Sequence, residues 1–216
     1  MSKHVALVTG GIGGLGTEIC KYLARSGHTV VAGDLSARTE RIAGFQAEMA
    51  DFASVHFHAL DVGNFDMCAQ AIRQIESTYG AVEILVNAAG ITRDATLRKM
   101  NPQQWADVIA INLGSVYNTC RNVIEGMSER GFGRIVNISS VNGQTGQFGQ
   151  TNYSAAKAGI HGFSMALARE VARKGVTVNS VSPGYCRTAM VAAIPENVRT
   201  QIIAGIPVGR LGEPSE

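Results

Sequence analysis

The sequence predicts an α/β fold, a single domain in which one doubly wound parallel sheet is covered by helices on both faces, giving three layers. Short apolar runs alternate along the chain with longer segments of helical spacing, and this alternation favours right-handed crossovers between parallel strands. Several apolar runs lack a regular polar face, which is typical of strands buried on both sides. The 216 residues, 45% of them hydrophobic, are enough for one domain with a sizeable core.

Six runs rich in Val and Ile predict strands, at residues 5–8, 29–32, 55–60, 84–87, 134–139 and 177–181. Five segments with apolar residues at helical spacing predict helices, at residues 15–26, 38–51, 64–79, 102–129 and 155–174. Residues 195–214 predict a small helix and its exit loop, and no further strand is predicted before Glu216.

The overall charge and the cysteines narrow the class of protein. The net charge of +2 reflects 19 basic and 17 acidic residues, without the basic excess of nucleic-acid or membrane-surface proteins. No stretch approaches the roughly 18 apolar residues of a membrane span, and no signal peptide is evident. Four separated cysteines form no CxxC motif and indicate thiols in a reducing compartment: Cys20, Cys68, Cys120 and Cys186. We therefore predict a cytoplasmic protein with no metal site and no nucleic-acid or membrane partner.

A glycine-rich turn at residues 9–16 follows the first predicted strand and opens a helix. Glycines let the backbone turn tightly and approach phosphates, and the helix N-terminus attracts a pyrophosphate. A strand–helix turn without a ligand also favours glycine, but the position at the start of a βαβ unit favours a dinucleotide. The predicted contacts are Gly10, Gly13, Gly14, Leu15 and Gly16.

Asp34 ends the second predicted strand, eighteen residues after Gly16. An acid at this place accepts hydrogen bonds from the adenosine ribose and repels a 2′-phosphate, which favours NAD(H) over NADP(H). Arg38 and Arg41 leave NADP(H) open, because a nearby arginine can accommodate a 2′-phosphate. The structural alternative is that Asp34 caps the next helix, a role that Ser36 can fill equally well.

The third and fourth predicted strands also end in candidate cofactor contacts, since ligands of open α/β sheets lie outside the carboxyl ends of the strands. Asp61 and Val62 follow the third strand, and Asp61 is suited to bind the adenine. Asn87 ends the fourth strand, and the small residues 88–90, with Gly90 last, leave room for the adenosine. Ordinary turn chemistry is the alternative explanation for each of them.

Ser140 follows the strand predicted at 134–139, and Tyr153 and Lys157 lie at the start of a helical pattern thirteen residues later. Residues four apart share a helix face, so Lys157 is predicted beneath Tyr153 and beside a bound ribose, with both residues in contact with the cofactor. A free phenol has a pKa of about 10, and an adjacent ammonium is expected to lower it toward the acid/base range. Ser140 is predicted to hold the substrate oxygen. The three residues predict hydride transfer in which Tyr153 exchanges the proton.

With these motifs the chain resembles the short-chain dehydrogenases/reductases throughout its length. The resemblance rests on the turn at 9–16, an NNAG-like segment at 87–90 with Ala88 in place of the second Asn, and Ser140, Tyr153 and Lys157. It implies a Rossmann-type fold with Asn112 as a further catalytic residue, which anchors a water that links Lys157 to solvent. It also implies that the nicotinamide carboxamide binds at Pro183, Gly184 and Thr188.

Residues 141–152 contain several amides, one aromatic ring and no charge. Such a segment suits a short, polar acyl group, although its glutamines can equally be solvated loop residues. Together with residues 91–94 and 98–100 it resembles the acetoacetyl-CoA reductases of polyhydroxybutyrate synthesis, many of which use NADPH. The resemblance implies reduction of acetoacetyl-CoA, an acyl-CoA thioester, to (R)-3-hydroxybutyryl-CoA. The predicted substrate contacts are Asp94, Gln147, Phe148, Gln150 and Tyr185.

Three other functions are considered. A 3-oxoacyl-acyl-carrier-protein reductase would offer basic residues such as Arg130 and Arg173 to an acidic carrier, but a CoA thioester is also anionic. An alcohol or sugar dehydrogenase would oxidise simple polyols with NAD. A nucleotide-sensing regulator that has lost catalysis should lack Tyr153 or Lys157, and both are present.

Members of the family normally continue past a segment like residues 209–214 into another helix and a last strand. The sequence is therefore expected to be an incomplete record, because a lost sheet edge would expose backbone and apolar surface. The resemblance implies a homotetramer in which that last strand helps to form one interface. The helices predicted at 102–129 and 155–174 are expected to form the other, unless their apolar faces are internal core.

Overall fold

The computed structural model describes residues 3–216 and confirms the predicted fold class, a parallel sheet flanked by helices. The sheet has six strands, and every neighbouring pair is parallel. The strands are β1 (Val5–Thr9), β2 (Thr29–Asp34), β3 (Val55–Ala59), β4 (Val82–Asn87), β5 (Gly133–Ile138) and β6 (Val176–Val181). All six predicted strands are present, with ends that differ by one or two residues.

The α-helices are α1 (Gly14–Arg25), α2 (Thr39–Glu48), α3 (Phe65–Tyr79), α4 (Pro102–Ile109), α5 (Ser115–Arg130), α6 (Asn142–Thr145), α7 (Thr151–Val171), α8 (Ala189–Ala192) and α9 (Glu196–Ala204). The short helices α6 and α8 were not predicted from the sequence, and α7 begins four residues earlier than predicted. Helix α9 confirms the small helix predicted within residues 195–214.

The helix predicted over residues 102–129 is present, but a π-helical turn, Ala110–Gly114, divides it into α4 and α5. Within this turn the Nδ2 atom of Asn112 donates to the carbonyl of Val108, 2.9 Å away and four residues earlier. A side chain that bonds this carbonyl competes with the backbone ladder and favours a local rearrangement. Hydrophobic spacing alone does not reveal such an interruption.

Two apolar clusters fill the space on opposite faces of the sheet. Leu7, on one face, packs in a cluster with residues of α3, α5 and α7, whereas Ala6 and Val8 pack on the other face with residues of α1 and α2. Alternate residues of β1 thus serve opposite layers, as the strand period requires. The three-layer arrangement predicted from the sequence is confirmed for this central part of the sheet.

The strand order is β3-β2-β1-β4-β5-β6, so the chain reverses direction across the sheet between β1 and β4. At such a switch point the connections leave on opposite sides and open a crevice outside the carboxyl ends of the strands. Strand β6 lies at one edge of the sheet, and Val181 at its end is 49% exposed. Within residues 3–216 no helix is long and apolar enough to cross a membrane.

The four cysteines are unpaired and differ in their access to solvent. Burial raises the pKa of Cys20 and Cys120 to about 12 and that of Cys68 to about 11, whereas Cys186 is only half-buried. Because the thiolate is the reactive form, we expect an aromatic disulfide reagent at pH 8 to modify one thiol in the folded protein and four in denaturant. Rapid native modification of two or more thiols, measured by absorbance, would contradict this assignment of burial.

Candidate active site

Two cavities lie side by side along the carboxyl ends of the strands. The first, of about 540 Å³, borders the glycine-rich turn and is called here the glycine-turn cavity. The second, of about 140 Å³, is called the catalytic cavity because Ser140, Tyr153 and Lys157 line it. Ala88 and Gly90 line both cavities, so the two form one continuous crevice at the switch point of the sheet.

The backbone of the glycine-rich turn needs residues without a Cβ atom. Gly10 has a φ of 63°, and a Cβ there would lie 2.8 Å from the Cα atom of Ala89. A Cβ on Gly16 would collide with the carbonyl oxygen of Gly10, and one on Gly14 would lie 2.7 Å from Cγ2 of Thr188. These glycines bring the turn against the end of β4 and the loop after β6, a packing that was not predicted from the sequence.

Helix α1 begins without a side-chain cap, since its N-cap is Gly13. The first N–H groups of a helix have no partner within the helix and carry partial positive charge, which suits an anion. Gly10 and Gly13 line the glycine-turn cavity, and Leu15 lines the catalytic cavity. The turn therefore fits the pyrophosphate of a dinucleotide that extends from one cavity into the other.

Asp34 lies at the end of β2 and lines the glycine-turn cavity, where its side chain is 8% exposed. Its carboxylate accepts the N–H of Leu35 at 2.8 Å, and both of its oxygens lie 3.1 Å from Nη1 of Arg38. The Arg38 side chain is 47% exposed. Asp34 is thus placed to accept further hydrogen bonds from within the cavity, with Arg38 as its counter-charge.

Arg41, the other arginine considered for a 2′-phosphate, is already engaged. Its guanidinium donates to the carbonyl of Ile12 at 2.5 Å, to Oγ1 of Thr17 at 2.8 Å and to Glu48 at 2.7 Å. These bonds fix α2 against the glycine-rich turn. Arg38 is therefore the arginine of this pair that remains available to a phosphate.

The residues at the end of β3 line the glycine-turn cavity, whereas the last side chain of β4 does not. Asp61 and Val62 line the glycine-turn cavity as predicted, and Oδ1 of Asp61 accepts the N–H of Gly63 at 2.9 Å. The side chain of Asn87, in contrast, is buried away from both cavities and donates to Oδ1 of Asn137 at 2.8 Å. Asn87 therefore joins β4 to β5, and its side chain is not the cofactor contact that the sequence predicted.

Tyr153 and Lys157 lie on the first turns of α7, and Ser140 lies just beyond β5, as predicted. Lys157 is 4% exposed, and its Nζ donates to the carbonyl of Ile138 at 2.8 Å. The same Nζ lies 5.6 Å from the centroid of the Tyr153 ring. The Ser140 hydroxyl lies close enough to the Tyr153 phenol to influence its pKa. The structure thus brings the phenol, the ammonium and the hydroxyl to one wall of the catalytic cavity.

Burial dominates the ionisation of this group. It raises the pKa of the Tyr153 phenol above its usual value; the hydrogen bond with Ser140 opposes the rise, and Asp94 and Tyr185 add to it. Burial also lowers the pKa of Lys157 from 10.5 to about 8. The expectation that Lys157 lowers the phenol pKa is not met, because burial raises this pKa while Nζ of Lys157 is bonded to the Ile138 carbonyl.

Asn112 is fully buried beside the catalytic cavity but does not line it. Its Nδ2 donates to the carbonyls of Ile91 and Val108, both at 2.9 Å, and its Oδ1 accepts the N–H of Ile91 at 3.3 Å. A Cβ on Gly90 would lie 2.6 Å from this Oδ1 and 3.6 Å from Nζ of Lys157. Asn112 therefore fixes the loop after β4. Because Gly90 has no side chain, this loop can pass close to both Asn112 Oδ1 and Lys157 Nζ.

The predicted substrate residues separate into two groups. Asp94, Gln150 and Tyr185 line the catalytic cavity, whereas Gln147 lines an adjoining cavity and Phe148 is 87% exposed and lines neither. Pro183, Gly184 and Thr188, predicted at the nicotinamide, also line the catalytic cavity.

Two polar residues behind the catalytic cavity, Asn142 and His161, were not predicted from the sequence. Asn142 is buried and bonds both Gln150 and Tyr185. His161 lies one helical turn after Lys157, with its ring nitrogens 3.1 Å from Oγ of Ser139 and 3.0 Å from Oγ of Ser180. The spacing of His161 from Lys157 was the available signal, since residues four apart share a helix face.

The doubly wound sheet, the glycine-rich turn and the tyrosine–lysine–serine group together define an oxidoreductase of the dinucleotide-binding α/β class. A family model described as "short chain dehydrogenase" matches residues 4–199. The chain belongs to the short-chain dehydrogenase family.

Two curated relatives share this similarity over nearly the whole chain. An acetoacetyl-CoA reductase of Allochromatium vinosum is 55% identical, over 99% of this chain and 87% of the relative. An acetoacetyl-CoA reductase of Cupriavidus necator is 53% identical, over 100% of this chain and 88% of the relative. Among solved structures, a variant actinorhodin polyketide ketoreductase with NADPH is 32% identical, with a TM-score of 0.92 over 99% of this chain and 86% of that one.

Proposed function

We propose that this protein reduces the 3-keto group of acetoacetyl-CoA to give (R)-3-hydroxybutyryl-CoA, with a nicotinamide cofactor, in polyhydroxybutyrate synthesis. The observation that carries the proposal is the single catalytic cavity lined by Ser140, Tyr153 and Lys157, continuous with the glycine-turn cavity. The similarity to acetoacetyl-CoA reductases at more than 50% identity supports the choice of substrate.

The residues around the cavity suggest how each would act. Ser140 Oγ donates a hydrogen bond to the ketone oxygen and stabilises the negative charge that develops there. The Tyr153 phenol then gives its proton to this oxygen, and the reverse transfer accompanies oxidation. A nicotinamide dinucleotide, when bound, supplies the hydride for the reduction and accepts it in oxidation. The raised pKa of Tyr153 keeps the phenol protonated at neutral pH, the form that reduction needs.

The dinucleotide would extend along the crevice. The N-terminus of α1 would hold its pyrophosphate, Asp34 its adenosine ribose and Asp61 its adenine, while the small residue Gly90 leaves room near the adenosine. Pro183, Gly184 and Thr188 would meet the nicotinamide in the catalytic cavity. Asn112 would anchor a water that links Lys157 to solvent, which the position of its Oδ1 and of Lys157 Nζ on the same side of Gly90 supports.

NAD(H) is the proposed cofactor, on the basis of Asp34. Its carboxylate faces the cavity where a 2′-phosphate would have to sit, and like charges at close range disfavour binding. Arg38 is the feature that favours NADP(H), because its half-exposed guanidinium is the available cation beside Asp34. The balance between these two side chains decides the cofactor preference.

Steady-state kinetics on acetoacetyl-CoA with NADH and NADPH in parallel tests the substrate and the cofactor together. We expect turnover with both, with the higher kcat/KM for NADH. Comparable or better turnover of acetoacetyl-carrier protein would favour fatty-acid synthesis as the function, and turnover of simple polyols alone would contradict thioester reduction. Equal use of the two dinucleotides would contradict the NAD(H) assignment.

Two variants separate the contributions to cofactor choice. Asp34→Ala removes the repulsion and the ribose acceptor, so we expect kcat/KM to fall with NADH and rise with NADPH, which narrows or reverses the preference. Arg38→Ala is the matched variant, and it should lower kcat/KM with NADPH more than with NADH. Parallel changes with both cofactors in either variant would show that the pair does not discriminate between them.

The cellular setting is also proposed from the structure. Four unpaired cysteines support a cytoplasmic location, where thiols stay reduced.

Tyr117 on α5 is 52% exposed and Met165 on α7 is 65% exposed, and these apolar side chains support the homotetramer interface expected on these two helices. Light scattering of the purified protein measures its subunit number directly.

A further inference from the structure

The catalytic cavity shares a wall with a much larger cavity. This neighbour, called here the α9 cavity, has a volume of about 800 Å³ and lies beneath helix α9. Asn142, Gly184, Tyr185 and Cys186 line both cavities. Of these, Asn142 and Tyr185 have large polar side chains that meet each other, and together they are called the Asn142–Tyr185 wall.

A chain of hydrogen bonds fixes the wall. Nδ2 of Asn142 lies 3.1 Å from the hydroxyl of Tyr185 and 2.9 Å from Oε1 of Gln150, to which it donates. Gln150 in turn donates through Nε2 to Oδ2 of Asp94 at 2.8 Å. Asn142 is 6% exposed and Gln150 9% exposed. A buried, mutually bonded amide has few alternative positions, so Asn142 holds the Tyr185 ring in place.

The two sides of the wall differ in size and in the side chains that line them. The catalytic cavity presents the polar groups Ser140 and Tyr153 to a ketone and, at about 140 Å³, is small. The α9 cavity is several times larger, and aliphatic side chains from α9 and the loop after it line it together with the charged Arg210 and Glu216. Its aliphatic side chains are Val141, Val198, Ile202, Ile206 and Val208. An alkyl chain is the ligand that such a surface favours, because burying each methylene is worth about 0.8 kcal/mol, or about fourfold in binding.

We propose that Asn142 is a positioning residue which holds the Asn142–Tyr185 wall between the catalytic cavity and an alkyl-binding α9 cavity. The closed wall restricts the ketone substrate to a short acyl chain, and removing it admits longer chains into the α9 cavity. The inference rests on the proposed 3-oxoacyl reduction and adds what limits the length of the acyl group.

The test compares kcat/KM for 3-oxoacyl-CoA substrates with four, six and eight acyl carbons. The parent protein should favour four carbons over eight. In Asn142→Ala the ratio of eight-carbon to four-carbon kcat/KM should rise at least tenfold, mostly through a lower KM for the long chain. Gln144→Ala is the matched control, because Gln144 is an exposed residue of the same short helix that lines neither cavity.

A second pair of variants keeps the test decisive if Asn142→Ala does not fold. Tyr185→Ala removes the bulk of the wall and should raise the same ratio most, whereas Tyr185→Phe keeps the ring, loses only the hydroxyl that bonds Asn142, and should raise the ratio less. An unchanged ratio in every folded alanine variant, or a parent that already reduces eight-carbon chains as well as four-carbon ones, overturns the proposal.

Different results contradict the proposed substrate and the proposed role of the Asn142–Tyr185 wall. If the parent reduces no CoA thioester, acetoacetyl-CoA reduction is wrong, and the same chain-length series is then measured with ethyl 3-oxo esters. A rise in the long-chain ratio with those esters supports the wall, and an unchanged ratio overturns it. If kcat in Asn142→Ala falls equally for all chain lengths, Asn142 maintains the catalytic site but does not select the length of the acyl chain, and the proposal is wrong.

Discussion

Replacing Tyr153 with phenylalanine is expected to lower kcat for acetoacetyl-CoA reduction by about 10²–10⁴-fold, the usual contribution of a positioned general acid. Phenylalanine keeps the aromatic ring whose centroid lies 5.6 Å from Nζ of Lys157 but removes the proton that the substrate oxygen receives. Only a hydroxyl is removed from a half-buried ring, so we expect the free energy of unfolding to change little. Stopped-flow or steady-state NADH absorbance measures the loss.

Two controls decide how this loss is interpreted. Dinucleotide binding by the variant, followed by fluorescence titration, should remain within a few-fold of the parent. Tyr22→Phe is the matched control, since Tyr22 is 72% exposed on α1 and its loss should leave kcat unchanged. If Tyr153→Phe turned over at the parent rate with its cofactor bound, another residue would have to provide the proton and the mechanism would be wrong.

Replacing Lys157 with methionine should have the second largest effect on the rate, with little effect on stability. The pKa of Lys157 falls from 10.5 to about 8 on burial, so folding with the charged form costs about 3 kcal/mol. Methionine removes this cost but also the hydrogen bond to Ile138, worth about 1.5–3 kcal/mol for a charged donor. The two effects nearly offset each other, whereas kcat/KM should fall by about 10²-fold or more.

The pH profile distinguishes a functional ammonium from a structural one. With a pKa of about 8, Lys157 is charged below that pH and neutral above it. We therefore expect kcat/KM of the parent to fall as pH rises through about 8, and this fall should be absent from Lys157→Met. Lys174→Met, at an exposed residue after α7, is the matched control. A large loss of stability in Lys157→Met with an unchanged profile would make Lys157 a structural residue.

The sequence alone was sufficient where local chemistry decides the outcome. Apolar runs with β-branched residues predicted all six strands, because a strand buried on both faces has few other compositions. The glycine-rich turn was predictable because only glycine avoids the clash at Gly10 and Gly16. Tyr153 and Lys157 were predictable as a pair because helical spacing places residues four apart on one face.

Only the tertiary structure decided the features that depend on contacts distant in sequence. The side chain of Asn87 bonds Asn137, fifty residues away, and Asn142 meets Tyr185, forty-three residues away; no spacing rule links such pairs. The sign of the Tyr153 pKa shift likewise depended on burial, which is a property of the packed protein. The sequence determined which groups stand at the strand ends, and packing determined their solvation, partners and separation.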